Sequence, residues 1–208
     1  MSFDTYANLQ TEIKGWLKRS TMTDTTVEGF ISLAEIEMNR KLRTRNQEVR
    51  ETFTVDSEYT DLTTLTNTVL ELRSIQLNTD PVRSLEYRSP SQLGDAYSDT
   101  GKPCFYSIIG DELQVNPSPD SSYTAEAAFY SPIAVLSDSN TSNWVLTNHP
   151  DIYLYGALYF GNLFIKDETA AQINKTLFDN SIKQLNKQER LARYSGSALA
   201  AKTKTATP

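Results

Sequence analysis

Histidine and cysteine are almost missing from this chain: His149 and Cys104 stand alone among 208 residues. An intrachain disulfide needs two cysteines and a zinc site several Cys or His ligands, so one copy can build neither. A Ser-His-Asp or Cys-His arrangement would have to rest on His149. That residue directly precedes Pro150, which pushes its backbone toward an extended form, and a residue at the entry of a helix is the simpler reading. Phosphate-cradling glycine loops are missing as well: no Gly-x-x-x-x-Gly-Lys, Gly-x-Gly-x-x-Gly or Gly-x-Ser-x-Gly occurs. The adjacent carboxylates Asp111 and Glu112 point apart on a turn or strand and do not make an acid/base pair. The expectation is a protein that is not an enzyme and has no catalytic residue, no cofactor and no metal.

Long hydrophobic runs are scarce too. The longest uncharged stretch, Ile152 to Ile165, is interrupted by Gly156, Gly161 and Asn162 and bounded by His149, Asp151, Lys166, Asp167 and Glu168. A membrane span needs roughly 20 apolar residues, so this stretch reads as a helix buried nearly all round inside protein. The N-terminus lacks the basic, apolar, small-residue order of a secretory signal, which implies a cytoplasmic origin.

Charge is present but unevenly placed. The net charge is −6, yet residues 51–165 hold 4 basic and 15 acidic side chains, while 1–50 hold 8 and 7 and 166–208 hold 8 and 4. The acidic middle is unsuited to binding nucleic acid, which requires clustered Lys and Arg. Two basic groups stand out. Arg40, Lys41, Arg43, Arg45 and Arg50 surround Glu48, and Lys187, Arg190 and Arg193 precede a tail containing Lys202 and Lys204. Cations near a helix C-terminus complement its macrodipole; a surface meeting an acidic partner or DNA is the alternative for both groups.

Periodicity gives the organisation. Tyr6, Leu9, Ile13, Trp16 and Leu17 repeat at helical spacing from about Asp4 to Lys18. A second helix follows from Thr25, whose spacing to Glu28 suits a capping box, with the stripe Val27, Phe30, Ile31, Ala34, Met38 and Leu42. After about Arg45 the period becomes two, with Val49, Phe53 and Val55 alternating with polar residues. Further strands are expected at 74–77, 82–87 and 123–130, and Ser89-Pro90 opens one short helix. The hairpin "CFYSIIGDELQV" turns on Gly110-Asp111, which sets Ile108 opposite Leu113 and Tyr106 opposite Val115. A last helix runs from Asp167 to about Tyr194 with the stripe Ala170, Ile173, Leu177, Ser181, Leu185, Gln188 and Ala192. The remainder, "SGSALAAKTKTATP", is too polar to order itself.

The fold expected is α+β. Residues 1–47 and 148–195 form a four-helix bundle from the N- and C-terminal helix pairs. Residues 48–147 are an inserted antiparallel β domain with one short helix near 90–97, and 196–208 are an extended C-terminal tail. Tyr153, Tyr155 and Tyr159 read first as core, and a subunit interface would supply partners for their hydroxyls.

The succession "LQTEIKGWLKR", "FISLAEIEMNRKLR", "LELRSIQL", "RSLEYRSPSQL", "GKPCFYSIIGDELQVNPSPD", "YTAEAAFYSPIAVLSD", "NWVLTNHPDIYLYGALYF" and "ARYSG" resembles the head-to-tail adaptor proteins of short-tailed double-stranded DNA phages. The resemblance covers nearly the whole chain. It implies a structural virion protein made in the host cytoplasm: a ring of twelve copies joining the portal protein to the tail nozzle and fibres, with DNA passing through without sequence-specific binding. The tail, with Gly196, Leu199, Lys202 and Lys204, is then expected on the portal. Arg40, Lys41, Arg43, Arg45, Tyr153, Tyr155, Tyr159, Arg190 and Arg193 are expected at a subunit interface or the channel. The competing expectation is a monomeric cytoplasmic binding module with a ligand between bundle and β domain.

Overall fold

In the computed structural model, which describes residues 3–94 and 100–194, the chain divides into two compact units. One contains the residues up to Asn46 and those from Ile133 onward; the other is Gln47–Pro132. The class is α+β. The helices are α1 Tyr6–Trp16, α2 Asp24–Lys41, α3 Pro90–Gly94, α4 Trp144–Asn148, α5 Pro150–Phe164 and α6 Glu168–Tyr194. Only α3 belongs to the second unit.

Each helix start has a local cause. The Thr5 hydroxyl accepts from the Asn8 N–H at the head of α1, and the Thr23 hydroxyl accepts from the Thr26 N–H at the head of α2. The cap of α2 is therefore Thr23 rather than Thr25: the helix takes in Asp24, whose charge suits the first turn. His149 occupies the N-cap position of α5 without a side-chain cap bond, and Pro150 sits where its missing N–H has no helical partner to lose. The connections after α1 and α5 turn on Lys18 (φ 54°) and Lys166 (φ 62°). At the second, the Lys166 and Asp167 N–H groups return to the Leu163 and Asn162 carbonyls, satisfying the end of the helix.

Helix α5, uncharged beyond Asp151, packs against α1, α2, α4 and α6. Its glycines explain how. A Cβ on Gly156 would stand 2.9 Å from both Ala34 Cβ and Phe178 Cε2, and one on Gly161 would stand 2.7 Å from Leu17 Cδ1. Interruptions in the apolar run are thus the points of closest approach by neighbouring helices. Leu9, Ile13, Ile31, Met38, Tyr153 and Phe178 are fully buried in this core. Trp16, counted in the sequence stripe, is 46% exposed at the end of α1.

Two expectations are corrected in this unit. The buried face of α6 is Ala171, Phe178, Ile182 and Leu185, whereas Ile173 and Leu177 of the expected stripe are exposed. The helix carries apolar residues on both faces, and the volume of Phe178 against Gly156 decides which is inside. Residues 133–147, assigned from pattern to the β insert, join the helices: Ile133, Leu136, Val145 and Leu146 are buried in the helical core. Lacking both periods, this strap left no pattern to place it.

The second unit holds two four-stranded sheets. Its strands are β1 Glu48–Val55, β2 Tyr59–Asp61, β3 Glu71–Leu77, β4 Arg83–Ser84, β5 Glu86–Tyr87, β6 Phe105–Ile109, β7 Glu112–Asn116 and β8 Tyr123–Tyr130. One sheet has the order β1-β8-β3-β4 and the other β2-β7-β6-β5. The strand expected at 82–87 is divided between them, with Leu85 buried at the crossing. Every strand pair is antiparallel except β5–β6. The chain from Tyr87 to Phe105, which includes α3, supplies the long crossover that a parallel pair needs. In the β6–β7 hairpin Ile108 opposes Leu113 and Tyr106 opposes Val115. Gly110, at φ 63°, supplies the positive φ at the first central position that matches strand twist. Val55, Ile75, Leu77, Leu113, Val115, Ala125, Ala127 and Phe129 are buried in this unit's own core. At the open end of the long ladder Glu48 opposes Tyr130, and the Ser131 N–H donates to the Gln47 carbonyl at 2.8 Å.

Candidate functional site

The most buried charged side chain among the described residues of the helical unit is Glu35, 3% exposed on α2. Its Oε1 accepts from the Leu136 N–H (2.9 Å) and the Tyr153 hydroxyl (3.0 Å). Asn143 Nδ2 in turn donates to the Tyr153 hydroxyl (2.6 Å) and the Ala134 carbonyl (2.7 Å). Asn39 Oδ1 accepts from the Ile133 N–H (2.9 Å), and the Thr141 carbonyl from the Tyr6 N–H (2.7 Å). The strap 133–147 is therefore tied to α1, α2 and α5 by polar groups that its irregular backbone would otherwise leave unsatisfied. Burial raises the Glu35 carboxyl above the ordinary range, against the two hydrogen bonds that favour its charge. Burial, with the Glu35 charge, also pushes the Tyr153 phenol well up. Tyr153 thus has its hydroxyl partners within the chain. Tyr155 and Tyr159 are half-buried, and Lys175 Nζ lies 4.7 Å from the centroid of the Tyr159 ring.

The basic run at the end of α2 is engaged internally. Arg40 pairs with Glu37 (3.3 Å), and Lys41 bridges Glu37 (2.6 Å) and Asp179 on α6 (2.7 Å). Lys41 is held above its usual value: burial alone would lower it, but Asp179 and Glu37 outweigh that effect. Arg43 Nη1 donates to the Leu42 and Asn39 carbonyls at the helix C-terminus. Arg45 Nε meets Glu189 at 3.0 Å and holds that carboxyl below the usual range. Asn186 completes the join, accepting from the Arg43 N–H (3.1 Å) and donating to the Lys41 carbonyl (2.8 Å). Arg190 and Arg193 are exposed near the end of α6. Gly196, Leu199, Lys202 and Lys204 lie outside the described residues.

Three cations that the sequence reading passed over come together in the β unit. Arg83 Nη2 touches Cys104 Sγ (2.7 Å), whose sulfur lies 3.5 Å from the Lys102 carbonyl, and the Arg88 guanidinium stacks 3.5 Å from the Phe105 ring centroid. Arg50 on β1 and Arg73 on β3, strands of the same sheet as Arg83 on β4, pair with Glu126 and Glu48. Arg83, Arg88 and Lys102 have no ion-pair partner among the described residues. Their scattered positions hid them; the signal available was their rarity in an acidic stretch. At the β2 edge of the β2-β7-β6-β5 sheet lie Asp56, Glu58, Asp61, Asp111 and Glu112, with Asp61 directly opposite Glu112 in the β2–β7 register.

The β unit also has a groove of about 600 Å³ lined by Leu62, Leu65, Val69, Leu72 and Ile108, with Glu71 and Asp111 among its polar residues. Among the described residues no group of three or more His, Cys, Asp or Glu is placed to hold a metal ion. No helix there is long and apolar enough to cross a membrane. His149 lies edge-on to Trp144, with no nucleophile hydrogen-bonded to it among the described residues.

The outer face of α6 exposes Ile173, Leu177 and Leu191, and that of α2 exposes Leu33 and Ile36. The SU10 adaptor protein family model matches residues 4–201, and the chain belongs to that family. It is a family of phage adaptor proteins, structural components of the head-to-tail junction, generally non-enzymatic and carried in the virion. A search of curated proteins returns no match.

Proposed function

We propose that copies of this chain assemble into a ring of twelve that joins the portal to the tail nozzle and fibres, with DNA passing through the centre. In this reading the helical unit is a four-helix scaffold centred on α5, and the β insert is the part available to further tail components. The observation that carries it is the outer stripe of α6: Ile173, Leu177 and Leu191 are 58%, 40% and 61% exposed, on the side of the helix opposite Ala171, Phe178 and Ile182. An adaptor that ends its life inside an assembly buries such a stripe against a sister copy or the portal. Arg190 and Arg193 face the portal or channel, and residues 196–208 dock on the portal, where contacts offset the cost of ordering a polar segment.

Mixing the full-length chain with portal rings tests this. The expected product is a larger particle whose images resolve twelve added copies. A chain that leaves portal rings unchanged at all concentrations overturns the reading. Deleting 196–208 is expected to weaken attachment at least tenfold, while Ile173→Asp with Leu177→Asp is expected to abolish ring closure with the monomer still folded by circular dichroism.

A further inference from the structure

The sheet β2-β7-β6-β5 has two unlike edges. At the β2 side Asp56, Glu58, Asp61, Asp111 and Glu112 gather without one lysine or arginine between Arg50 and Arg73 or between Lys102 and Lys166. Asp61 caps the turn that follows it, accepting from the Thr63 hydroxyl (2.7 Å) and N–H (2.8 Å), and those bonds hold its carboxyl below the usual range. Its cross-strand partner is Glu112, and like charges directly opposite on neighbouring strands oppose the pairing that joins them. Glu58 accepts from Gln114 (2.8 Å) and Ser118 (3.3 Å) but meets no cation among the described residues. Beside the β5 edge stand Arg88, stacked on Phe105 of β6, and Arg83 of the adjoining β4, whose Nη2 reaches Cys104 Sγ, with Lys102 two residues before that cysteine and Glu86 as the carboxylate on β5 itself. Each edge also exposes a tyrosine, Tyr59 at 49% and Tyr87 at 57%.

Within this unit every other cation is spent: Arg50 and Arg73 both have carboxylate partners on the neighbouring sheet. The other three, without an ion-pair partner among the described residues, gather where β4 adjoins the β5 edge, and the β2 edge of that sheet holds an anionic cluster that meets no cation among the described residues. We propose that the two edges meet between neighbouring copies, the acidic β2 edge of one against the cationic β5 edge of the next. Such a contact is heterologous, the kind that closes into a ring when its rotation permits. It relieves the Asp61–Glu112 opposition, supplies counter-charges to Arg83, Arg88 and Lys102, and covers both tyrosines. It rests on the ring reading above, to which it adds a second, polar point of contact and a direction around the ring. The short edge strands, three residues in β2 and two in β5, leave charge rather than extended backbone pairing as the means of recognition.

Isotopic mixing tests the contact. Equal amounts of light and heavy full-length chain are assembled on portal rings and treated with a carbodiimide, which joins a lysine to a carboxylate in contact. The expected result is light–heavy links from Lys102 to Asp56, Asp61 or Glu112. Two variants then probe direction: Asp61→Lys with Glu112→Lys, and Arg83→Glu with Arg88→Glu. Each alone is expected to lower assembly at least tenfold at low salt, less at high salt. Mixed together they regain partial assembly through complementary edges, which also shows that both are folded. Particles that form normally with either variant, or that link only elsewhere, overturn the edge contact and leave the ring intact. If the wild-type chain does not bind portal, the ring reading falls. The edge contact is then judged on concentrated free chain, where absence of the Lys102 links overturns it too.

Discussion

The two units treat charge in opposite ways. The helical unit turns it inward: Glu35 is buried against Leu136 and Tyr153, and the whole basic run from Arg40 to Arg45 is occupied by Glu37, Asp179, Glu189 and helix-end carbonyls. The β unit leaves cations at one edge of a sheet and carboxylates at the other. The lesson concerns how to weigh a basic cluster. A dense run of lysine and arginine is conspicuous in sequence, yet its neighbours in space can consume it. Three separated cations can form the more available surface once a fold collects them.

The sharpest way to break this contrast is at Glu35. Glu35→Ala leaves the Leu136 N–H and the Tyr153 hydroxyl without their acceptor and opens a small cavity; a loss of about 2–4 kcal/mol is expected in urea unfolding. Glu35→Gln keeps an oxygen for both donors and removes the buried charge, so its cost is expected to be small. Wild type and Glu35→Gln differ in pH dependence as well. A carboxyl whose native pKa is raised contributes stability that is complete below its unfolded pKa and is lost as pH rises through the native value. The difference in stability between wild type and Glu35→Gln should therefore shift against the wild type across that interval. A constant difference would mean that Glu35 is not buried as described.

Next in size is Gly156→Ala. The new methyl meets Ala34 on α2 and Phe178 on α6, both in the packed core, and about 1–3 kcal/mol should be lost. Gly161→Ala presses on the flexible end of Leu17, with Phe30 Cδ2 only in van der Waals contact at 3.4 Å, and should cost less. Equal losses would show that α5 is not gripped hardest at Gly156. Asn186→Ala removes both bonds that fasten the end of α2 to α6 and is expected to cost about 1–2 kcal/mol. Hydrogen exchange at the Arg43 amide should then quicken first. The smallest effect falls in the β unit. Arg83→Ala should change monomer stability by less than about 0.5 kcal/mol, and Arg88→Ala by no more than about 1 kcal/mol through its stacking on Phe105. A larger loss from either would place these cations among the residues that hold the fold.

Regular periods made much of the fold legible. The stripe of α2 from Val27 to Leu42 is wholly buried, and the register of the β6–β7 hairpin followed from the two-residue turn alone. The misreadings share a cause, which is that pattern does not reveal what a face packs against. In α6, apolar residues on two sides gave two possible stripes, and only the fit of Phe178 beside Gly156 selects one. The apolar stripe of α2 leaves out Glu35 because it is charged, although it lies four residues after Ile31 and three before Met38, on the buried face. That spacing was the available signal. The cation edge was invisible because Arg83, Arg88 and Lys102 converge only when the strand at 82–87 divides between two sheets.

The bond from the Ser131 N–H to the Gln47 carbonyl has a consequence for how such a chain can vary. It continues the β1–β8 ladder, so the spacing between the chain's exit to the insert and its return is fixed by the insert's own first and last strands. Lengthening or trimming loops deeper in the insert adds only a slowly growing closure cost and leaves that gap unaltered. A lineage could exchange the interior of this module for one suited to a different tail while the helical half kept its sequence, and a graft that retains residues 47–55 and 123–131 is the laboratory equivalent.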